Sequence, residues 1–81
     1  MSMRYNEDVI SLLEVPVGET VCLLSVDDSL KAKLVQYGLY AGDSLQVLRV
    51  APLGGPVLVG VNGREIALGR AVAEKIFVEA E

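Results

Sequence analysis

The stretch VLVGVNGREIAL, residues 57–68, carries the strongest local signal for the fold. Two short apolar runs flank the dipeptide Asn62-Gly63. A two-residue type I′ turn needs positive φ at both central positions, and asparagine and glycine adopt that conformation most readily. The first run has valines at every second position, on one face of an extended chain: Val57, Val59 and Val61. The stretch therefore predicts a β-hairpin with an apolar face.

The residues before this hairpin predict another strand and a wide loop. SLQVLRVA, residues 44–51, places Leu45 and Val47 on one face of a strand. PLGGP, residues 52–56, should be a loop, because two prolines cannot donate to a ladder and the glycines between them permit positive φ. The prolines also remove donors that a phosphate-binding loop would need, and no lysine follows. We interpret residues 52–56 as a hairpin connection.

Further towards the N-terminus, DDSLKAKLVQYG predicts one amphipathic helix. Its apolar residues recur at i, i+4 and i+7, as Leu30, Leu34 and Tyr37. The helix should run from about Ser29 to Tyr37, after two aspartates that are suited to an N-cap. Gly38 follows as a glycine in the left-handed conformation would, and so ends the helix.

The remaining segments complete a small, mainly β domain. A strand is predicted from Glu19 to Val26, after a Pro-x-Gly turn, and residues 9–13 should form a helical turn or an edge segment. GRAVAEK should form a helical turn before the last strand, KIFVEA. About five short strands in 81 residues avoid open edges by curling, so we expect one domain, residues 1–81, with the fold of an SH3-like β-barrel.

Charge and hydropathy exclude several classes of partner. The chain has 7 Lys+Arg against 11 Asp+Glu, a net charge of -4. Nucleic acids and anionic membranes attract clustered cations, so this balance argues against both. No apolar run approaches the ~20 residues that span a bilayer, and the first ten residues lack the apolar region of a signal peptide. We expect a cytoplasmic protein without membrane insertion.

The residue inventory offers little for catalysis or metal binding. Histidine is absent and Cys22 is the single cysteine, expected to be buried in the first strand on the face of its neighbours at positions 24 and 26. Glu7 with Asp8, or Glu79 with Glu81, could hold a hard cation only weakly, because chain ends are usually solvated. We therefore predict no catalytic residue, no cofactor and no tightly held metal, and we expect that the protein is not an enzyme.

Large apolar residues in loops are the one feature of the sequence that indicates a binding function. Leu39, Tyr40 and Leu53 lie in or beside glycine-flanked loops, which run over protein surfaces. Leu39 has an alternative role, because the residue after a C-terminal glycine often packs back on its helix. Exposed apolar residues near one another mark interaction sites, so we predict that Leu39, Tyr40 and Leu53 bind a partner.

The order of these features resembles the FeoA family, the small cytosolic accessory proteins of bacterial ferrous-iron transport. The resemblance covers about Leu12 to Val78. It rests on the ordered set Gly38-Leu39, Tyr40 with Gly42, the Pro52–Pro56 loop, Asn62-Gly63, Ile66-Ala67-Leu68, and Ala73 with Ile76 and Val78. The loop after the helix commonly holds a small or proline residue before its glycine, and Ala41 stands there.

The resemblance implies an SH3-like fold and a non-enzymatic role as a partner of FeoB, the membrane iron transporter with a cytosolic GTP-binding domain. An exposed apolar patch is also compatible with a homo-oligomer. The alternative within the resemblance is the related module at the C-terminus of iron-dependent repressors. In that case the chain would be a stand-alone sensor of a metal or small ligand.

Overall fold

The computed structural model describes residues 9–81, which form one antiparallel sheet with two short helices. In chain order the elements are β1 (Ile10–Ser11), β2 (Thr20–Val26), α1 (Lys31–Tyr37), β3 (Ser44–Val50), β4 (Val57–Val61), β5 (Arg64–Leu68), α2 (Arg70–Glu74) and β6 (Ile76–Ala80). Single 3-10 turns lie at Leu12–Glu14 and Asp28–Leu30. The prediction for residues 9–13 left two alternatives open, and the segment contains both a short edge strand and a helical turn.

The six strands of this part of the chain pair in the order β1-β6-β2-β3-β4-β5. The ladder does not close between β1 and β5, so the SH3-like sheet of the described residues is open and not a closed barrel. Register shifts between Leu23 and Ser25 and between Val47 and Arg49 mark irregularities in β2 and β3. Such bulges bend a strand and increase its twist, which lets the sheet wrap around one core. The predicted fold class is confirmed.

The hairpin of β4 and β5 has the predicted turn. Val61 pairs with Arg64, and the two residues between them have positive φ, 51° at Asn62 and 79° at Gly63. The three valines of β4 are buried, as the alternation predicted. Local sequence therefore specifies both the turn and the inward face here.

The helix begins differently from the prediction. Residues 28–30 form a 3-10 turn, and α1 starts at Lys31. Asp27 caps the turn, because its carboxylate accepts from the Ser29 N–H at 3.1 Å and from the Ser29 hydroxyl. Both hydrogen bonds favour the charged carboxylate, so they lower the pKa of Asp27, with a smaller contribution from Lys75.

The end of α1 is a Schellman motif built on Gly38. Gly38 has φ 79°, in the left-handed region, and the Leu39 N–H donates to the Leu34 carbonyl at 3.1 Å. The turn directs Leu39 back under the helix, where it is 1% exposed. Leu34 and Leu39 therefore join one core with the inward residues of the sheet, which are mostly Val, Leu and Ile.

The prediction that Cys22 is buried is wrong. On β2 the buried residues are Val21 and Leu23, whereas Cys22 between them is only half-buried. Successive side chains of a strand point to opposite faces, so Cys22 lies on the face away from the core. Both faces of β2 carry apolar residues, so the alternation in the sequence did not show which face is buried.

Replacing Leu39 tests its role in the core. We expect Leu39→Ala to lower the free energy of unfolding by about 2–5 kcal/mol, through lost burial and the cavity that remains. Thermal unfolding followed by circular dichroism should show a drop in Tm of more than about 8 °C. Val35→Ala, at an exposed position of α1, is the control and should change Tm by only a few degrees. Similar Tm values for the two variants would contradict the assignment of Leu39 to the core.

A second prediction concerns acid stability. The pKa of Asp27 is lowered in the folded state, so its contribution to stability is present above the ordinary aspartate pKa of 3.8 and is lost as pH falls below it. The urea midpoint of the wild type should fall more steeply from pH 5 to pH 3 than that of Asp27→Asn. Parallel curves for the two proteins would contradict this prediction.

Candidate docking site

The structure brings together no metal site within residues 9–81. In that range no three side chains of the His, Cys, Asp and Glu types are placed to hold an ion. Glu79 is half-buried and Glu81 exposed at the end of the chain, while Glu7 and Asp8 lie outside the described residues. A hollow of 370 Å³ over β3, β4 and β5 has a mixed polar lining without such a cluster, and two further hollows in the described residues are mainly apolar.

An open apolar groove lies between α1 and β2. Its volume is 260 Å³. Its floor and walls are largely aliphatic and come from the end of β2, from α1 and from the segment after the helix: Leu23, Ser25, Val26, Lys31, Leu34, Val35, Leu39, Tyr40 and Ala41. Tyr40 is 56% exposed and Val35 55%. Two large side chains therefore stand partly in solvent at the edge of a groove whose floor is core.

A different hollow, of 290 Å³, lies among β1, β2 and β6 and is lined by Ile10, Val15, Pro16, Glu19, Val21 and Ala80. None of these lining residues is a large exposed apolar side chain. Stable interfaces are usually built around protruding aromatic or aliphatic anchors that a partner desolvates. The groove at Tyr40 has such anchors, so it is the stronger candidate for docking.

Reciprocal hydrogen bonds hold the backbone at Tyr40. Its N–H donates to the Asp43 carboxylate at 2.9 Å, and the Asp43 N–H donates back to the Tyr40 carbonyl at 3.0 Å. The next pair joins this loop to β2, with Gly42 N–H to Leu23 O at 2.7 Å and Leu23 N–H to Asp43 O at 2.8 Å. Gly42 has φ 95°, a conformation that residues with a side chain rarely adopt. Because the loop is fixed before binding, ordering Tyr40 costs little entropy.

The three residues predicted to bind a partner separate in the structure. Leu39 is buried in the core beneath the groove, so the expectation that it is an exposed apolar residue is corrected. The left-handed turn at Gly38 sends its side chain inward, as the alternative interpretation held. Tyr40 is exposed beside the groove, and Leu53 is fully exposed.

Tyr40 and Leu53 do not form one patch, contrary to the expectation that they lie near one another. Tyr40 precedes the start of β3 at Ser44, and Leu53 follows its end at Val50. A seven-residue strand extends about 20 Å. The two side chains therefore present separate contacts.

Leu53 combines full exposure with an unfavourable backbone. It has φ 61° at the tip of the β3–β4 loop, a conformation that costs a leucine about 1–2 kcal/mol. The loop around it is closed by hydrogen bonds from Ala51 N–H to Pro56 O at 2.9 Å and from Gly55 N–H to Pro52 O at 3.1 Å. The loop thus holds an apolar side chain in solvent on a constrained backbone.

Val35 and Lys31 belong to the groove and were missed from the sequence. The signal was available, because Val35 is apolar yet lies outside the helical stripe of residues 30, 34 and 37. A valine off the stripe of an amphipathic helix is exposed unless another element covers it.

Within residues 9–81, no helix has both the length and the apolar character required to cross a bilayer. The fold and the groove together define a small SH3-like domain with an open apolar groove beside α1. A family model described as "FeoA domain" matches residues 10–80. The chain therefore belongs to the FeoA family.

Relatives and solved structures agree with this assignment. A Methanocaldococcus jannaschii protein named "Putative Fe(2+) transport protein A" is 39% identical over 64 residues, which cover 76% of each chain. The solution structure of the FeoA protein from Chlorobium tepidum matches with a TM-score of 0.77 at 36% identity, over 88% of this chain and 70% of that one. A manganese-dependent transcriptional repressor matches with a TM-score of 0.83 at 20% identity, over 90% of this chain and 42% of the repressor, which is a likeness of fold alone.

The strain at Leu53 leads to a prediction about stability. Asparagine tolerates the left-handed region better than leucine, and this side chain has no burial to lose. We expect Leu53→Asn to raise the free energy of unfolding by up to about 1 kcal/mol. Urea unfolding gives the measurement, with Val50→Asn in the adjoining strand as a control that should destabilise. A clear loss of stability in Leu53→Asn would show that Leu53 packs on the domain.

Proposed function

We propose that this protein is a non-enzymatic accessory protein of ferrous-iron transport that binds the cytosolic GTP-binding part of a FeoB-type transporter. Membership of the FeoA family supports a role as a transport accessory protein. The name of the M. jannaschii relative supports a place in Fe²⁺ transport. A protein with this role acts in the cytoplasm and modulates the transporter by contact.

The groove at Tyr40 is the observation that carries this proposal. It offers an aliphatic floor, a half-exposed aromatic ring and a second exposed side chain, Val35. Desolvating such a surface favours association, and tyrosine is enriched among the residues that dominate binding energy. A helix or loop of the transporter with two or three apolar side chains fits an open groove of this size.

Replacing Tyr40 tests the proposal. Tyr40→Ala should weaken binding to the purified GTP-binding domain of the transporter about 30-fold, because an aromatic anchor contributes roughly 2 kcal/mol. Calorimetric titration gives the affinity, and the Tm should stay within a few degrees of the wild type. Val50→Ala, also exposed and apolar but at the far end of β3, is the matched control. Equal affinities for wild type and Tyr40→Ala would refute docking at the groove.

Leu53 is proposed as a second contact with the same partner. Leu53→Asn keeps the backbone conformation and removes the apolar side chain, so it should weaken binding without loss of stability. An unchanged affinity would restrict the interface to the groove. If the protein instead forms a homo-oligomer through either surface, the apparent mass of the isolated protein in sedimentation should rise with its concentration.

The fold shared with a manganese-dependent repressor favours one alternative, a direct sensor of metal or small ligand. Within residues 9–81 the ligand types that such a site needs do not converge. Anaerobic calorimetric titration with Fe²⁺ separates the two functions. Sub-micromolar binding would favour the sensor, and the proposed accessory role expects none.

A further inference from the structure

The side chain of Arg64 reaches from the edge strand β5 to the end of α1. Its Nη2 donates to the Gly38 carbonyl at 3.2 Å and its Nη1 contacts the Tyr37 carbonyl at 3.5 Å. These residues lie 26 and 27 positions apart in the chain. The last carbonyls of a helix lack partners inside it and carry partial negative charge, so they suit a guanidinium.

Two features of the surroundings fit this contact. The type I′ turn at Asn62-Gly63 makes Arg64 the first residue of β5, at the end of the hairpin nearest to α1. Gly38 leaves the space that the guanidinium occupies, because a Cβ there would lie 3.0 Å from Nη2. Gly38 is therefore favoured mainly by its positive φ, and a Cβ there would also push the Arg64 guanidinium away by a few tenths of an ångström.

The bonded carbonyls belong to the two residues that come just before the Leu39-Tyr40 segment. Downstream of Tyr40, the loop is hydrogen-bonded to β2 through Gly42 and Asp43. Upstream, Arg64 ties the same segment to the β4–β5 hairpin. The backbone on either side of Tyr40 is thus held from two different parts of the sheet.

We propose that Arg64 is a positioning residue for the docking groove. It holds the carbonyls of Tyr37 and Gly38 in place. In this way it fixes the orientation of the Tyr40 side chain beside the groove between α1 and β2. The expected effect of Arg64 on binding rests on the proposed docking function. The positioning of Tyr40 by Arg64 is a property of the free protein and does not depend on a partner. Arg64 then affects affinity through Tyr40 and not through its own contact with the partner.

The free protein gives the first test. In Arg64→Ala, the amide resonances of residues 38–41 should shift in ¹⁵N-edited NMR spectra, and the Tyr40 amide should exchange with solvent faster. Arg64→Lys keeps one charged donor but not the planar fork, so it should restore part of the wild-type behaviour. Arg49→Ala removes the same charge from an exposed position of β3 and is the matched control, with these resonances unchanged. Wild-type resonances in Arg64→Ala would overturn the proposal whatever the partner is.

Affinity for the GTP-binding domain of the transporter gives the second test. Arg64→Ala should weaken binding about fivefold, the size of one net hydrogen bond, and Arg49→Ala should leave it unchanged. In a double-mutant cycle, Arg64→Ala should have little further effect once Tyr40 is alanine, because its influence acts through that ring.

Additive losses in the cycle would mean that Arg64 touches the partner directly, and would overturn the positioning role while leaving docking at the groove intact. If Tyr40→Ala alone does not weaken binding, docking at the groove is refuted, and the NMR comparison still decides whether Arg64 holds the segment.

Discussion

The burial of Leu39 immediately after a left-handed glycine is the constraint on which the rest of the structure depends. Gly38 reverses the chain at the end of α1, and Leu39 then fills the core beneath the helix. Because this anchor comes directly before Tyr40, the next side chain is placed at the surface above the same core. The same backbone turn therefore ends the helix, closes the hydrophobic core and positions the edge of the candidate docking groove.

The groove lies where two exposed side chains, Val35 and Tyr40, stand beside buried residues of the core. Strands with bulges wrap around the aliphatic residues, and α1 covers one side without reaching all of β2. The apolar surface that a partner can desolvate is therefore mainly that of Tyr40 and Val35, and the core beneath them is already buried.

Backbone strain at Leu53 and hydrogen bonds at Tyr40 constrain the two loops that carry exposed apolar side chains. Leu53 keeps a costly φ of 61° in full solvent, and Tyr40 is held by its reciprocal hydrogen bonds with Asp43. Both residues present apolar side chains on constrained loops, and a constrained loop loses less entropy when its side chain is bound. Their separation along β3 means that a partner touching both must span most of the domain.

The hairpin at Asn62-Gly63, the inward valines of β4 and the end of α1 at Gly38 were determined by the sequence, because each depends on backbone preferences and periodicity within a few residues. The exposure of Tyr40 and Leu53 was also anticipated from their glycine-flanked loops. Tertiary structure decided the rest. It buried Leu39 and turned Cys22 away from the core, since several apolar residues competed for the same interior. It also separated Tyr40 from Leu53 and joined Arg64 to Gly38, because distances between segments far apart in the chain follow from strand pairing and from the curvature of the whole sheet.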